Sequence, residues 1–411
     1  MESLKVDALI IGGGVAGLWT LDALRRSGRS AMLIEGHRLG GGQTIASQGI
    51  LHSGLKYSLA GVLTNAAREA REMPVLWRRC IAGETEPNLS AVAVSSESFH
   101  LWGTHSASSR IGLLGAQLGL KVTPKSVPRA EYPTVLRDCP GSVFRVDEQV
   151  IAPASLVAAL AEPHRDVIVR VDPATEVEFE TTAPGVVRRI YLHAARRNLT
   201  VRVEPRSVIL TAGKGNGILR SRLGLDTGAM QLRPLHYVLL RGDLPEFHGH
   251  CVDLNRTRVS ITSSRDQNNR VVWQVGGQIS EDGVRMDAES LLELTQSELQ
   301  AVMPGLDLSK TEWTTCRVDR AEGTTRGGAR PDSYRLLQEG NVLSAWPTKL
   351  VLAPQLAAAI LEQMPASAAN SPATSLDVLR HWPHPEVASP AWEEIRNWLP
   401  YRRRPARRNA A

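Results

Sequence analysis

The sequence predicts an α/β protein in which a domain with a parallel sheet is interleaved with an α+β domain built on an antiparallel sheet. Its 411 residues exceed what one hydrophobic core usually serves, so two domains are expected. Residues 6–35 alternate strand, glycine-rich turn, helix and strand, as at the start of a parallel sheet. After residue 230 the pattern changes to β-rich runs that are typical of antiparallel strands, at 236–241, 258–262 and 271–277.

The turn after the first strand has the spacing G-x-G-x-x-G. Gly12 permits the tight turn from the apolar strand at 6–11 into the helix. Gly14 lets the backbone approach a pyrophosphate, and Gly17 lets the helix pack closely on the strand. Three glycines at this spacing occur by chance in many loops, but here each lies where dinucleotide binding requires it. The alternative is a glycine-rich turn that binds nothing.

The elements that follow complete a Rossmann-like unit. Apolar periodicity and the stop signal at Gly28 predict a helix from Val15 to about Arg26. The strand at 31–35 ends at Glu35, whose carboxylate can accept both hydroxyls of a ribose. The unit therefore predicts an adenine dinucleotide site.

Composition narrows the class of protein. The apolar fraction is 42% and the charged fraction 22%, which is ordinary for a globular chain. No run of about 18 uncharged apolar residues predicts a spanning helix, and the N-terminus shows no signal-peptide pattern. The four cysteines lack a C-x-x-C pair and are expected to be reduced thiols, which favours a cytoplasmic protein with no metal site: Cys80, Cys139, Cys251 and Cys316.

The net charge of +6 does not indicate a nucleic-acid partner, because it is concentrated at one end of the chain. Without the five arginines of the last ten residues the body is nearly neutral. A short basic tail is typically a solvated end, and the alternative is weak attraction to an anionic membrane surface or an acidic partner. The five are Arg402, Arg403, Arg404, Arg407 and Arg408.

The segment after Glu35 distinguishes between two kinds of dinucleotide. A nicotinamide dehydrogenase usually enters its third strand soon after this position. Residues 39–57 are instead rich in glycine and small polar residues. Such a segment can lie against a large planar cofactor, with its N–H and hydroxyl groups serving phosphates and ring heteroatoms.

Residues 50–57, Ile-Leu-His-Ser-Gly-Leu-Lys-Tyr, resemble the D-amino-acid oxidase superfamily of FAD-dependent oxidoreductases. They are most similar to the branch that holds L-2-hydroxyglutarate dehydrogenase and FAD-dependent glycerol-3-phosphate dehydrogenase. The resemblance extends over about residues 5–362 and includes an acidic residue before a helix beginning at Pro153, and a strand ending in Thr-Ala-Gly at 211–213. It implies that the dinucleotide is FAD and not NAD.

The cofactor-binding residues that the spacing and the resemblance together imply come from six parts of the chain. They are Gly12, Gly14, Val15, Ala16, Gly17, Glu35, Gly42, Gln43, Thr44, Ser47, Gln48, Gly49, Val177, Ala212, Gly213, Thr348, Lys349 and Leu350.

The predicted domains alternate along the chain. The FAD-binding domain takes residues 1–80, 144–230 and 316–365, and the substrate domain takes residues 81–143 and 231–315. Residues 366–411 form a C-terminal tail with Pro, Trp and Arg. Because exposed tryptophans are unfavourable, the tail is expected to pack on the body or on a partner.

His52 is the first candidate catalytic residue. It follows the segment that should lie along the flavin, and a histidine near neutrality can take the proton of a hydroxyl as hydride leaves the same carbon. Its other possible roles are as a substrate ligand, as a covalent attachment point for the flavin, or in structural hydrogen bonding.

Arg317 is the second candidate. Amino-acid-oxidising relatives have a similarly placed arginine that binds the substrate carboxylate, for which a planar, permanently charged guanidinium is suited. The family pattern continues with proline, where this chain has Val318. Arg320 and Arg326 are competing positions, and an arginine here can equally be structural.

Lys349 is the third candidate, in the loop 346–350 where many relatives have glycines. A cation at the pyrimidine edge of the flavin would stabilise its anionic reduced form, together with the helix dipole; the alternative is a surface lysine. His236 and Tyr237 rank second, as residues of a strand that can line the open face of the ring.

The resulting functional prediction is an FAD-dependent oxidoreductase that removes a hydride from the carbon bearing a hydroxyl in a small anionic substrate, such as a 2-hydroxy acid. The electron acceptor is oxygen, quinone or a partner protein. Two alternatives stay open. One is an amine or amino-acid oxidase or dehydrogenase of the same fold. The other is a flavin-binding subunit of a multi-component dehydrogenase complex, with the tail as its docking element.

Overall fold

The computed structural model describes residues 2–52, 65–104, 124–194, 197–253, 256–366 and 375–401. Its first sheet has eight strands, in the order β17-β18-β11-β1-β2-β8, with β10 beside β11 and β9 beside β10. The strands are β1 (Glu2–Ile11), β2 (Ala31–Glu35), β8 (Ile168–Arg170), β9 (Val177–Ala183), β10 (Val186–Ala194), β11 (Leu199–Leu210), β17 (Arg335–Glu339) and β18 (Val342–Trp346).

The centre of this sheet is parallel: β1 pairs with β11 and β2, β11 with β18, and β2 with β8. Strands covered on both faces are near-continuous apolar runs, and residues 8–11 are fully buried. β1 begins at Glu2, four residues before the predicted start, because its pairing with β11 continues to Glu2↔Val201.

The second sheet has nine strands, in the order β19-β16-β12-β15-β14-β13-β4-β6-β5. All neighbours are antiparallel except β13 and β4. The strands are β4 (Phe99–Trp102), β5 (Lys125–Ser126), β6 (Val143–Val146), β12 (Met230–Gly242), β13 (Gly249–Asp253), β14 (Arg256–Arg265), β15 (Val271–Gly276), β16 (Thr311–Gly323) and β19 (Leu399–Pro400). Two further strands, β3 (Val94–Ser96) and β7 (Val150–Ile151), pair with each other.

The helices cover the two sheets. α1 runs from Val15 to Arg26, as the sequence predicts. The other helices are α2 (Asn65–Ile81), α3 (Pro153–Ala161), α4 (Asn216–Arg222), α5 (Gln278–Asp282), α6 (Ala288–Val302), α7 (Ala353–Gln363) and α8 (Ala391–Glu394). Two hydrophobic cores result: one around the first sheet with α1, α3 and α7, and one around the second sheet with α6.

The predicted fold class is confirmed, with a parallel sheet domain and an interleaved antiparallel one. Two predicted domain boundaries fall inside strands of the second sheet. The boundary at 143/144 divides β6, and the boundary at 315/316 divides β16, whose thirteen residues pair with β12 along their whole length. Residues 53–57 and the five tail arginines lie outside the described residues.

The C-terminal segment, residues 375–401, packs across both domains. Leu379 and Trp382 are buried in the first core. Val387 bridges to Leu39 beside the first sheet, and β19 pairs with β16 at the edge of the second. This part of the tail therefore belongs to the body of the molecule. Among the described residues no helix is long and apolar enough to cross a membrane.

Candidate active site

A cavity of about 1360 Å³ lies between the two sheets. The first sheet contributes residues 12–16, Glu35, 211–215 and 345–350, which follow the carboxyl ends of its parallel strands, the usual ligand position in such sheets. Residues 36–52, apart from Leu39 and Leu51, line another wall. The second sheet contributes side chains such as those of Tyr237, His250 and Arg320.

At one end of the cavity the turn after β1 requires its glycines. Gly12 has a φ of +115°, and a Cβ there would lie 2.5 Å from Ala212 Cα. A Cβ on Gly17 would lie 2.0 Å from the Gly12 carbonyl oxygen. At Gly14 the nearest protein atom is Thr44 Oγ1, 3.2 Å away, so its open side is toward the cavity that it lines. Gly17 itself lies outside the lining and acts through packing.

The N-terminus of α1 opens on the same end. No acidic side chain occupies its first turn, and Val15 N donates to Thr44 Oγ1 at 3.1 Å. The dipole and the free N–H groups of such a terminus attract anions. Val15 and Ala16 both line the cavity here, which suits a pyrophosphate.

Glu35 is held in place at the end of β2. One carboxylate oxygen accepts from Gly13 N at 2.7 Å and the other from His37 N at 3.0 Å. Beside it the lining is formed by residues 172–174. Val177, predicted to face the adenine, is buried outside the lining, and its carbonyl accepts from Arg222. Residues 172–174, and not Val177, line the cavity beside Glu35, because the chain leaves β8 directly beside that carboxylate.

The small-residue segment joins the two domains. Gln43 Oε1 accepts from Ala321 N at 2.9 Å. Gln48 Oε1 accepts from the Ser260 hydroxyl at 2.8 Å, and its amide donates to the Gln274 carbonyl at 3.0 Å. These glutamine side chains are hydrogen-bonded to the second sheet. The predicted contacts of Gln43 and Gln48 with the cofactor would therefore be made by their backbone groups.

The remaining predicted positions in this segment line the cavity as well. No protein atom lies within 4 Å of a Cβ built on Gly42. Gly49 has a φ of +67°, and a Cβ there would lie 1.9 Å from the Ile151 carbonyl oxygen. Ser47 Oγ is buried and has no hydrogen-bond partner in the described part of the chain.

The loop before α7, residues 346–350, has bulky and charged side chains where many relatives have glycines. Thr348 has a φ of +62°, which is strained for a β-branched residue. Lys349 is only 8% exposed, and its Nζ donates to the Asp332 carbonyl. It is therefore not a surface lysine, and its ammonium ties the loop at 346–350 to residues 330–332. Leu350 continues the lining.

These residues fit FAD. Buried polar atoms on the cavity wall that have no partner among the described residues include Ser47 Oγ, Thr348 Oγ1 and Trp346 Nε1. Such atoms require a hydrogen-bonding ligand or water. At Gly213, beside Ala212, the φ is +56° and no atom lies within 4 Å of a built Cβ. The wall thus leaves space for a large group that carries phosphates, hydroxyls and ring heteroatoms.

His52 lies at the other end of the predicted cofactor segment and lines the cavity. Its Nδ1 is 3.3 Å from Oε2 of Glu148, a carboxylate whose side chain is 3% exposed. The ring stacks on His250 with centroids 5.6 Å apart. The sequence analysis did not include Glu148 or His250, since neither stands in a recognisable motif.

Arg317 lines the cavity, but its guanidinium is engaged elsewhere. It donates to the carbonyls of Val284 and Met286 at 2.9 and 2.8 Å. Arg320 donates to the Arg233 carbonyl, and burial, followed by the charge of Arg233, lowers the pKa of Arg320 below its usual value. Both arginines therefore have protein partners.

Arg330 differs from these two. It lines the same cavity, and its buried Nε has no hydrogen-bond partner within the described residues. Pro331 follows it, whereas Val318 follows Arg317. The Arg-Pro pair was therefore the sequence signal that could have identified this position. Arg326, the other predicted competitor, is exposed.

The two second-rank candidates, His236 and Tyr237, lie on opposite faces of β12. Tyr237 lines the cavity, and burial raises the pKa of its hydroxyl. His236 points to the other face of β12, where its Nδ1 donates to the Gly283 carbonyl at 3.0 Å. Burial lowers the pKa of this imidazole. Adjacent strand residues face opposite sides of a sheet, so only one of them can reach the site.

Comparison with known proteins identifies the class. The family model of FAD-dependent oxidoreductases called DAO matches residues 7–353, and the chain belongs to this family. It is an FAD-dependent oxidoreductase, and its cofactor is FAD. The predicted recognition and cofactor are thereby confirmed.

Three relatives illustrate this. The chain is 34% identical over 400 residues to the FAD-dependent oxidoreductase PA4991 of Pseudomonas aeruginosa, covering 95% of this chain and 98% of the relative. The crystal structure of that protein matches with a TM-score of 0.77 at 31% identity, over the same shares.

Glycine oxidase from Geobacillus kaustophilus matches with a TM-score of 0.59 at 16% identity, covering 90% of this chain and 98% of that one. L-α-glycerophosphate oxidase from Mycoplasma pneumoniae, with FAD bound, matches with a TM-score of 0.58 at 14% identity, covering 98% and 100%. At these identities the two structures show a shared fold alone.

Proposed function

We propose that this oxidoreductase oxidises a small anionic substrate at a carbon that bears a hydroxyl, a 2-hydroxy acid being the preferred class. The observation that carries the proposal is that one cavity holds both an arginine with an unsatisfied donor, Arg330, and a histidine bonded to a buried carboxylate, His52. A guanidinium binds a carboxylate through two parallel hydrogen bonds. An imidazole accepts a proton near neutral pH.

Bound FAD supplies the two-electron acceptor of the reaction. The protein residues bind and orient the substrate and remove its proton. Arg330 fixes the anionic group, which sets the position of the neighbouring carbon. His52 accepts the hydroxyl proton as the carbon loses its hydride, so that a carbonyl product forms. The predicted roles of Arg317 and Lys349 are revised accordingly: Arg330 replaces Arg317 as the anion ligand, and Lys349 positions the 330–332 segment.

A hydroxyl must lose its proton for the carbonyl to form, and the His52–Glu148 pair supplies a base for this step. An amine or amino acid stays the alternative substrate class, because its ammonium group must also lose a proton before its lone pair is available. The other alternative, a flavin subunit docked through its tail, is disfavoured for residues 375–401, because Leu379 and Trp382 are buried in the first core and Trp392 and Trp398 pack on the second sheet.

We further propose a cytoplasmic setting. The four cysteines are free thiols, three of them buried, which is typical of a reducing compartment. Oxygen, quinone and a partner protein all stay open as electron acceptors.

The test is anaerobic bleaching of the flavin with a panel of substrates. The panel holds 2-hydroxy acids, amino acids and polyol phosphates, the last two classes being those in the names of the two enzymes that share the fold. We expect a 2-hydroxy acid to bleach the flavin fastest. Bleaching by amines alone would overturn the proposed substrate class.

A further inference from the structure

The pairing of His52 with Glu148 is built into the backbone around it. Leu51 N donates to the Gln149 carbonyl at 2.9 Å, and Ile151 N donates to the Gly49 carbonyl at 3.0 Å. Ile50 and Val150 form an antiparallel bridge. Residues 49–51 and 149–151 are thus two bonded strand-like stretches, and the two side chains meet at one end of them. The contact is fixed by main-chain bonds on its flank and does not depend on two mobile side chains.

The imidazole is also held in its plane. His250 stacks on it, with an angle of 21° between the rings. Phe99 in turn packs edge-on against His250, with centroids 4.5 Å apart. Phe99 is fully buried and His250 is 7% exposed. The His52 side chain, 27% exposed, therefore has one face against a packed wall, and it lines the cavity.

A buried carboxylate beside Nδ1 decides the tautomer. A carboxylate only accepts, so the Nδ1 atom must carry the proton in this pair, which leaves the lone pair on Nε2. When Nε2 takes a proton, the negative charge of the carboxylate stabilises the imidazolium. In the part of the chain that the structure describes, charged groups near the pair include Arg78, which donates to the Asp147 carbonyl, and Glu97, which accepts from Gln149 at 2.8 Å.

We propose that Glu148 is a positioning residue of the reaction, holding His52 with its proton on Nδ1 so that Nε2 receives the hydroxyl proton of the substrate, and that His250 holds the plane of the ring. The O–H bond of the substrate breaks, its proton goes to Nε2, and its electron pair forms the second bond of the product carbonyl. Bound FAD would supply the acceptor for the hydride of the adjacent C–H bond. This inference rests on the proposed function, because it presumes a hydroxyl substrate.

The first measurement needs no substrate. In the holoenzyme labelled with ¹⁵N-histidine, the His52 resonance is assigned by its loss in His52→Gln. We expect the Nδ1–H tautomer in the wild type. In Glu148→Gln, which keeps the shape and removes the charge, we expect the preference for this tautomer to weaken, because an amide can both accept and donate a hydrogen bond. The Nε2–H tautomer in the wild type, or an unchanged tautomer balance in the variant, would overturn the proposal.

The second measurement is single-turnover flavin reduction with the best substrate of the panel. Glu148→Gln is expected to slow reduction about 10²-fold, with substrate affinity little changed. The pH profile of flavin reduction in this variant is expected to differ from that of the wild type. The matched control is Asp147→Asn, which removes the adjacent carboxylate, paired to Lys125 at 3.6 Å. The rate of flavin reduction in this control is expected to stay within about twofold of the wild-type rate.

The results of these measurements distinguish failure of the positioning role of Glu148 from failure of the proposed function. Reduction at the wild-type rate in Glu148→Gln, with normal FAD absorbance, overturns the positioning role even if substrate bleaching supports the proposed function. If no hydroxy acid bleaches the wild-type flavin, the proposed function fails, and the tautomer of His52 alone decides whether Glu148 controls the imidazole. Loss of FAD from Glu148→Gln would show a structural role instead and would also overturn the proposal.

Discussion

The two ends of the cavity are built in different ways. The nucleotide end is formed largely by backbone from one stretch of chain, residues 12–49, together with the end of β11. The chemical end is formed by side chains from distant segments: His52, Glu148, His250, Arg330 and Lys349. A site made of backbone N–H groups requires glycines at fixed spacing, so its sequence carries a local signature. A site made of converging side chains carries none.

The largest expected effect is at the nucleotide end. In Gly17→Ala the new Cβ would lie 2.0 Å from the Gly12 carbonyl oxygen, so α1 must move away from β1. We expect loss of bound FAD and of roughly 4 kcal/mol or more of unfolding free energy, measured by flavin absorbance and denaturant unfolding. The control is Gly217→Ala, where the nearest atom is the flexible Met230 Cε at 3.0 Å. A Gly17→Ala protein with full FAD content would contradict the statement that the nucleotide end of the cavity requires its glycines.

The second prediction concerns the C-terminal segment. Trp382 is 2% exposed in the first core, and Trp382→Ala should destabilise the protein by about 3–5 kcal/mol. Trp398 is partly buried, with Arg241 4.0 Å from its ring centroid, and Trp398→Ala should cost about 1 kcal/mol. Equal effects in thermal unfolding would contradict the placement of Trp382 in the core.

The third prediction is a pH dependence in the second sheet. Burial lowers the pKa of His248 from 6.5 to about 4, and Ser263 N donates to its Nδ1, which requires the neutral ring. The folded state therefore binds fewer protons than the unfolded one at acid pH. The stabilisation is complete above pH 6.5 and is lost as pH falls toward about 4, by about 3 kcal/mol. In His248→Asn the fall of Tm over this window should be smaller, whereas His381→Gln, at an exposed position, should leave it unchanged.

The fourth prediction compares two arginines at the chemical end. Arg330→Ala should raise KM for the anionic substrate about 10²-fold, the loss of a charged hydrogen-bond pair of about 2–3 kcal/mol. Arg317→Ala should raise it at most about threefold, because that guanidinium is bonded to two carbonyls. Steady-state kinetics of both variants decides, and the reverse order would restore Arg317 as the anion ligand.

The smallest expected effect is that of Lys349→Met. Loss of the bond from Nζ to the Asp332 carbonyl should loosen the segment that carries Arg330 and raise KM about tenfold, or about 1.4 kcal/mol. The flavin midpoint potential should stay unchanged. A shifted potential with unchanged KM would mean instead that the ammonium tunes the flavin electronically.

Local patterns predicted much of the fold. The bounds of α1 and β2 agree with their predicted ranges, since periodicity, a glycine stop and an apolar run are contained in a few consecutive residues. The strand at 207–210 was found as well, but it is the end of the longer β11, whose full extent depends on pairing with β1. β13 and β17 were not predicted; each takes its place by pairing with neighbouring strands.

In the candidate site, too, local patterns predicted some residues, whereas tertiary packing decided others. Spacing placed Gly12, Gly14 and Glu35 on the cavity wall. The family resemblance gave Arg317 and Val177 and did not give Arg330 or residues 172–174, because the partners of a side chain and the path of the chain beside the cavity depend on tertiary packing. The pair of His52 and Glu148 is separated by 96 residues, and no periodicity connects them.

The sequence by itself thus determined the fold class and the dinucleotide turn, and the family resemblance in its residues determined the cofactor. Each depends on the geometry of consecutive residues, which short-range sterics and hydrogen bonding impose wherever the pattern occurs. Only the tertiary structure decided which arginine is left unpaired in the cavity, that Lys349 is bonded to Asp332, and that a buried glutamate stands beside His52. Those facts depend on which side chains the packing of the two sheets brings together and which partners it leaves unsatisfied.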